Sequence, residues 1–407
     1  MQDLTNVLEV SLGPVPVGTL TLLSPGLDTI DRTEFSFYEE YRSRAPRPVL
    51  GQIFEDDLSR RHSNRMRLPP FFSNLLPEGA LRDLIAKRSE VSSAREFFLI
   101  AYLGEDLPGA VIVRPQGRLL ADDSEEPIEE GDEEDSLRFS LAGVQLKFSM
   151  IREGRGLTLP VAGRGGDWIL KLPNSKFEQV PENELSMMTW AKRAGINTPE
   201  TQLVDLTDVR GLPVEVSGTK GRGFMVRRFD RTETGRVHIE DFAQVLGAYP
   251  ARKYKGHNYE TIAKILYAVS GRPALEEFLR RLIFIVAIGN ADAHLKNWSL
   301  IYPDGVMAEL SPAYDLVSTI QYASVDRRLG LNFAGSKRFE DVSMSGFERL
   351  AGILELGKEE VTRIVEAGLE NIIRAWMALR ADLPIPEPFK RRIEEHWSLV
   401  PLLRGRL

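Results

Sequence analysis

The spacing of apolar residues along this chain changes character several times. Val17-Gly-Thr-Leu-Thr-Leu-Leu and Glu34-Phe-Ser-Phe-Tyr alternate with the β-branched and aromatic content of strands, whereas Ala80 to Arg88 and Ser93 to Leu103 have helical spacing. Between them Phe71, Phe72, Leu75 and Leu76 are the expected core of a small α+β module over residues 1–120. Alternation returns in Arg138 to Met150, on both sides of Ala142-Gly143, and in Gly166-Asp-Trp-Ile-Leu-Lys-Leu-Pro, predicting a hairpin and a short strand. A helix is expected from Pro181, where proline suits the first turn, to Gly195, and a β-run from Gly223 into Arg227 and beyond.

From residue 239 onward helical spacing prevails. It predicts helices over Ile239 to Leu246, Asn258 to Ser270, Ala274 to Ile288, Ser345 to Leu356 and Lys358 to Arg380, with Asn258 and Gly271 capping the second. Trp298 to Tyr302 and Val306 to Leu310 bracket the turn signal Pro303-Asp-Gly and predict a hairpin that leads to Asp315. The fold class expected is α+β, with a two-lobed core: an acidic linker or loop over 121–136, a small lobe over 137–230 and a mainly helical lobe over 231–407.

Composition narrows the chemistry. Between Ala121 and Asp135 ten of fifteen residues are acidic, a run that repels itself and lacks the apolar content to fold, so it divides the chain. The absence of cysteine rules out thiolate catalysis and cysteine-held zinc or iron–sulfur sites, and the five histidines show no paired metal spacing. No apolar run approaches the roughly 20 residues that cross a bilayer, and the first residues lack a signal-peptide pattern. A cytoplasmic protein without membrane contact is expected.

The polar cluster Gly289-Asn-Ala-Asp-Ala-His-Leu-Lys-Asn follows an apolar helical run and so should sit on a loop presented by a buried helix. Asp292 precedes Asn297 by five positions, and Asp315 follows in Tyr314-Asp-Leu. Phosphoryl transfer needs those parts in that order: an Asp that accepts the proton of the substrate hydroxyl, then an Asn and a later Asp that hold Mg2+ against ATP. Lys171 lies in an otherwise apolar strand and must either snorkel to the surface or have an anionic partner. Glu184, bordering the inner stripe of the following helix, can supply that partner and reproduce the lysine–glutamate pair of protein kinases.

These segments together resemble the HipA-type serine/threonine kinase toxins of bacterial toxin–antitoxin modules. The likeness runs through Val17-Gly-Thr-Leu, Phe71-Phe-Ser-Asn-Leu-Leu-Pro-Glu-Gly, Ser140-Leu-Ala-Gly-Val-Gln-Leu-Lys, Lys171-Leu-Pro, Asn183-Glu184, Arg228-Phe-Asp-Arg, Glu240-Asp-Phe, the Asp292 loop and Tyr314-Asp-Leu. The resemblance implies Asp292 as catalytic base, Asn297 and Asp315 as Mg2+ ligands, and Lys171 with Glu184 at the ATP phosphates. It also implies a phosphate-binding loop through Ala142, Gly143 and Lys147, an adenine-flanking segment through Arg227 and Phe229, and an inhibitory autophosphorylated serine at Ser140. A phosphoserine there would add a charge of about −1.5 to −2 where ATP phosphates bind.

Two departures stand out: Val144 and Leu146 occupy positions where the family usually has Ala and Glu, and Arg227 replaces a Glu. A guanidinium accepts no hydrogen bond, which removes one side-chain contact to adenine. The resemblance further implies a dimeric helix-turn-helix antitoxin, HipB-like, that links the kinase to operator DNA. Its implied substrate is a protein such as an aminoacyl-tRNA synthetase, glutamyl-tRNA synthetase among them. Two other readings stay open on these residues. Asp292-x-His294-x-x-Asn297 also fits the loop of phosphoinositide-type lipid kinases, with His294 assisting transfer, and the fold also suits a co-repressor scaffold on its antitoxin.

Overall fold

The structure, a computed structural model, describes residues 4–23, 32–119, 146–153, 156–158, 166–174, 176–324 and 326–406. Ser140, Ala142, Gly143 and the acidic run lie outside the described residues.

The amino-terminal part is built on a five-stranded antiparallel sheet in the order His62–Arg65, Arg32–Phe37, Val15–Leu22, Val7–Leu12, Val111–Pro115. Leu8, Val10 and Leu12 face the core from one strand, and Leu20 and Leu22 from the next, as the pleat requires, while a register shift between Val10 and Ser11 brings Val17 to the core as well. Gly18 in the Val17-Gly-Thr-Leu motif has a close-approach role: a Cβ there would lie 2.2 Å from the Ser36 carbonyl on the adjacent strand. Helices Pro70–Ser73, Gly79–Ser89 and Glu96–Leu103 cover the sheet. Phe35, Phe71 and Phe72 are fully buried, with ring centroids 4.7 Å apart for Phe35 and Phe72 and 5.1 Å for Phe71 and Phe72.

A second sheet of six strands runs Thr201–Asp205, Arg222–Arg227, Trp168–Lys171, Lys147–Glu153, Gly156–Thr158, Val209–Arg210. Helix Val180–Arg193 packs on it, with Met187, Met188 and Trp190 buried. The rest is mainly helical. Tyr259–Ala287 runs as two helices joined at Gly271, whose φ of 71° interrupts the ladder, and Asn258 caps the start by accepting from Thr261 N at 2.8 Å.

The last turns of the second of these helices are apolar on all sides and buried on all sides: residues 282–288 are at most 3% exposed. Its end is held by a Schellman arrangement in which Asn290 N donates to Ile285 O and Gly289 N to Val286 O, with Gly289 at φ +61°. The Val286 and Ala287 carbonyls also accept from His396 Nε2 at 2.8 Å and Trp397 Nε1 at 2.7 Å, which fixes His396 as the Nε2–H tautomer. Helix Glu387–Leu399 thus clamps the point from which the Asp292 loop emerges.

Three elements differ from expectation. Residues 238–241 form a strand, paired with Ser299–Tyr302, and only Phe242–Val245 is helical. Asp241 begins that helix through a capping box, accepting from Gln244 N at 2.9 Å while its own N–H donates to Gln244 Oε1 at 2.9 Å. The expected strand 306–310 shrinks to Glu309–Leu310, because Asp304 Oδ1 accepts from the N–H groups of Val306 and Met307 and draws them into the turn. Helix Glu387–Leu399 was not anticipated. Among the described residues no helix is long and apolar enough to cross a membrane.

The amino-terminal part docks on the helical lobe through buried polar groups. Glu240, with no solvent exposure, accepts from Gln52 N at 3.0 Å and from the Tyr302 hydroxyl. Burial pushes its carboxyl up to about 8, against the pull of those two neutral donors. The native state therefore retains a proton that the unfolded chain has lost, so this contribution is complete below about pH 4.5 and disappears as pH rises through about 8. Glu240→Gln should accordingly flatten the pH dependence of unfolding, its melting temperature relative to wild type rising from pH 5 to pH 8 in a thermal scan.

Candidate active site

Three segments converge where the six-stranded sheet meets the helical lobe. The first is the strand Trp168–Lys171, whose register sets Lys171 opposite Lys147 on one neighbour and opposite Phe224 on the other. Two ammonium groups on paired residues repel, so an anion between them is needed. Asp315 supplies it: its carboxylate pairs with Lys171 and lies 3.5 Å from Lys147 Nζ. Lys171, only 4% exposed, is also paired with buried Glu184, and its Nζ is 5.6 Å from the Phe224 ring centroid.

The charges in this cluster divide unequally. Burial opposes ionisation of Asp315, but Lys147 and Lys171 outweigh it and hold the carboxyl well below the usual carboxylate range. Burial likewise opposes the charge on Lys171, and the two carboxylates outweigh it, so the ammonium form persists. Glu184 is pushed up to about 7 by burial, only partly offset by Lys171, and its Oε2 has no hydrogen-bond partner among the described residues. The ammonium is thus shared, with Asp315 as its fully ionised partner.

The second segment is the Asp292 loop, which is held from every side. Ala291 N donates to Thr319 Oγ1 at 2.8 Å, Asp292 N to Asn290 Oδ1 at 2.9 Å, and Tyr259 hydroxyl to Ala293 O at 2.7 Å. A Cβ at Gly330 would lie 2.6 Å from the Ala293 carbonyl, so the neighbouring strand approaches as closely as glycine permits. The Asp292 carboxylate accepts from the Tyr254 hydroxyl. Asn297 accepts from His294 N at 2.9 Å and donates from Nδ2 to Asp315 Oδ2 at 3.4 Å, which joins this loop to the third segment. Asp315 itself sits at φ 55°, a left-handed conformation that Asp tolerates better than most residues and that marks a functional turn.

The oxygens of Asn297 and Asp315 are hard donors of the kind Mg2+ prefers. Among the described residues no group of three or more His, Cys, Asp or Glu side chains is set to hold a metal alone. An ion here would therefore complete its shell with phosphate oxygens and water, the usual Mg2+ arrangement. Lys171 and Lys147 flank Asp315 there, and Asp292 lies on the loop that Asn297 joins to it. All line one cleft or border it, and that cleft, of about 1120 Å³, opens between the amino-terminal part and the two lobes.

The remaining expected residues are placed differently from one another. Phe229, half-buried, lines the cleft with its ring 5.7 Å from Tyr314. Arg227 reaches solvent, with 52% of its side chain exposed and Glu200 at 3.8 Å, and its N–H is used by the Glu200 carbonyl at 2.8 Å. Its neighbours in Arg228-Phe-Asp-Arg face inward instead. Arg228 forks onto Asp230 at 2.9 and 2.8 Å, Asp230 accepts from Gly109 N at 2.8 Å, and Arg231 donates to the Gly109 and Leu107 carbonyls. His294 is 3% exposed, packs edge-on to Tyr254, and has no partner on either ring nitrogen among the described residues. Burial and the nearby Lys253 hold its pKa well below 6.5, so the ring is neutral.

Sequence reasoning missed Tyr254, Lys253 and Lys296. Nothing in Arg252-Lys-Tyr marks it, and Lys296 was visible only as a letter inside the Asp292 loop. Because Glu184 depends on Lys171, Lys171→Met should lower the unfolding free energy by about 3–5 kcal/mol. Lys171→Met combined with Glu184→Leu should recover most of that loss, as read from urea unfolding midpoints.

Comparison with known proteins agrees with this arrangement. Residues 8–114 match the HipA N-terminal domain and residues 139–376 the HipA-like C-terminal domain. Y4dM of Sinorhizobium fredii, which carries a provisional kinase name, is 45% identical over 98% of both chains. The serine/threonine-protein kinase toxin HipA of Shewanella oneidensis is 27% identical, over 80% of this chain and 78% of that one. In solved structures, the Shewanella oneidensis toxin–antitoxin complex of HipA, HipB and operator DNA matches 98% of this chain and 96% of that one, with a TM-score of 0.76 at 22% identity. A matching family model over more than half the chain, together with a relative that is similar from end to end, shows that this protein belongs to the HipA family.

Proposed function

We propose that the chain is an ATP-dependent serine/threonine protein kinase. The observation that carries the reading is that Lys171 and Asp315, which line one cleft, pair with each other and are tied to Glu184 and to Asn297, the latter on the same loop as Asp292. A substrate hydroxyl beside Asp292 gives up its proton to that carboxylate as its oxygen bonds to the γ-phosphorus of ATP, and the bond from that phosphorus to the bridging oxygen of ADP breaks. Lys171 and Lys147 hold the phosphates by charge, and the Tyr254 hydroxyl orients the Asp292 carboxylate. Mg2+, held by Asn297 and Asp315, would neutralise charge on the phosphates. Phe229 and Tyr314 present aromatic surface on which an adenine can rest.

Similarity to the HipA toxin of Shewanella oneidensis supports a role in a toxin–antitoxin pair. On that reading the partner is a helix-turn-helix antitoxin of the HipB kind, through which the complex reaches operator DNA. The target is a translation protein such as glutamyl-tRNA synthetase, and Ser140 is the site of self-inhibition. Incubation with ATP labelled at the γ-phosphate, alone and with lysate, should label Ser140 or a lysate protein, as located by mass spectrometry. Asp292→Asn should reduce that labelling by about 10²–10⁴-fold. Nucleotide binding with no transfer by the wild type would favour a co-repressor scaffold, and label confined to lipid a lipid kinase.

A further inference from the structure

The segment Asn74-Leu-Leu-Pro-Glu78-Gly79 leaves the amino-terminal sheet and ends against the catalytic loop. Leu75 and Leu76 are buried, and Asn74 Nδ2 donates to the Ala248 carbonyl at 2.7 Å, so the segment is anchored before it reaches Glu78. Gly79 follows at φ +56°, a left-handed turn that glycine enters without strain. Glu78 then spreads its two carboxylate oxygens over two lysines of the helical lobe: Oε2 lies 2.6 Å from Lys253 Nζ and Oε1 2.9 Å from Lys296 Nζ. Lys296 also donates to the Asn74 carbonyl at 3.1 Å and lies 3.9 Å from Asp241.

Each of these lysines adjoins a residue that touches the proposed chemistry. Lys253 precedes Tyr254, which donates to Asp292, and the Lys253 carbonyl accepts from Leu295 N at 3.2 Å. Lys296 precedes Asn297, which bonds both His294 N and Asp315. One carboxylate from the amino-terminal part therefore ties together the two stretches that aim Asp292 and Asn297. Lys253 and Lys296 side chains are only 9% and 15% exposed, so without that carboxylate two poorly hydrated ammonium groups would face each other and the loop between them would shift.

We propose that Glu78 is a positioning residue for phosphoryl transfer, so that the catalytic loop is completed by the amino-terminal part of the same chain. This rests on the kinase reading above. Glu78 touches no reacting atom in this scheme; it acts through Lys253 and Lys296. Displacements of about 1 Å at a reacting group cost on the order of 10²-fold in rate, whereas Lys171 and Lys147, which would hold ATP, lie on another sheet and keep their own partners.

The test compares wild type, Glu78→Gln and Glu78→Asp in the full chain, by steady-state transfer from ATP and by hydrogen exchange of the amides of residues 291–298. Glu78→Gln is expected to lower kcat about 10–100-fold with the KM for ATP within about threefold, to speed exchange in the loop, and to lower the melting temperature, because two poorly hydrated ammonium groups lose their carboxylate. Glu78→Asp, shorter but still charged, should fall between the two. Unchanged kcat or unchanged loop exchange in Glu78→Gln would overturn the proposal. So would a parallel fall in kcat and ATP affinity, which would mark Glu78 as structural only. If the wild type itself transfers no phosphate, the kinase reading fails, and the exchange arm still decides whether Glu78 holds the loop.

Discussion

The buried ammonium of Lys171 is the constraint around which the catalytic half is arranged. A charge taken out of water is tolerated only where opposite charge and hydrogen bonds replace its hydration. Here that requirement brings together a strand, the next helix, which carries Glu184, and the turn carrying Asp315, 144 residues beyond Lys171 in the chain. The register of the sheet sharpens the demand, since Lys147 lies directly across from Lys171 and adds a second positive charge to the same spot. Asp315 answers both, and its left-handed backbone is held in place because the carboxylate has two cations to satisfy. The grouping that a polyphosphate and its metal would use is thus already required by the electrostatics of the fold.

A different economy governs the contact between the amino-terminal part and the helical lobe. Apart from Val49, which packs into the core of the helical lobe, its apolar residues belong to separate cores, one around Phe35, Phe71 and Phe72, the other around Phe278 and Trp190. What joins them is polar and directional: Glu240 on Gln52 and Tyr302, Asp230 on Gly109, Gln244 on the Phe71 carbonyl and His238 on the Leu50 carbonyl. Buried hydrogen bonds of this kind tolerate little displacement, because a group left unpaired loses its hydration with no return. They set one orientation of the two parts, and the cleft between them inherits that geometry.

Much of this was legible from residue patterns, and the failures have physical reasons. Alternation located the strands Val15–Leu22, Arg32–Phe37 and Trp168–Lys171, and an apolar strand containing one lysine correctly demanded a partner such as Glu184. Residues 239–241 were misassigned because their pairing with Ser299–Tyr302 is decided by tertiary contact, not local spacing. Helix Glu387–Leu399 escaped notice because its buried residues, Ile393 and Trp397 with Lys390 and His396, form a narrow stripe in a charged segment after Leu-Pro-Ile-Pro. Within Arg228-Phe-Asp-Arg only Phe229 was read for nucleotide contact, and the other three residues serve the joint between the two halves. A short motif shows that its residues are tied to something; only the fold shows to what.

The two carboxylates nearest that joint respond oppositely to protons because their partners differ in charge. Glu240 meets a phenol and a peptide N–H, neither of which offsets the cost of burying an anion, so burial raises its pKa. Glu78 is buried as well, but Lys296 and Lys253 outweigh that burial and hold it well below the usual carboxylate range. Its contribution is present above the unfolded carboxylate pKa and is lost only as pH falls through its depressed native value. Acidification from neutrality therefore first strengthens the Glu240 contact, deep in the joint, and leaves the Glu78 contact at the catalytic loop ionised. The joint can vary in strength with pH while the charge that ties the two halves at the loop stays constant.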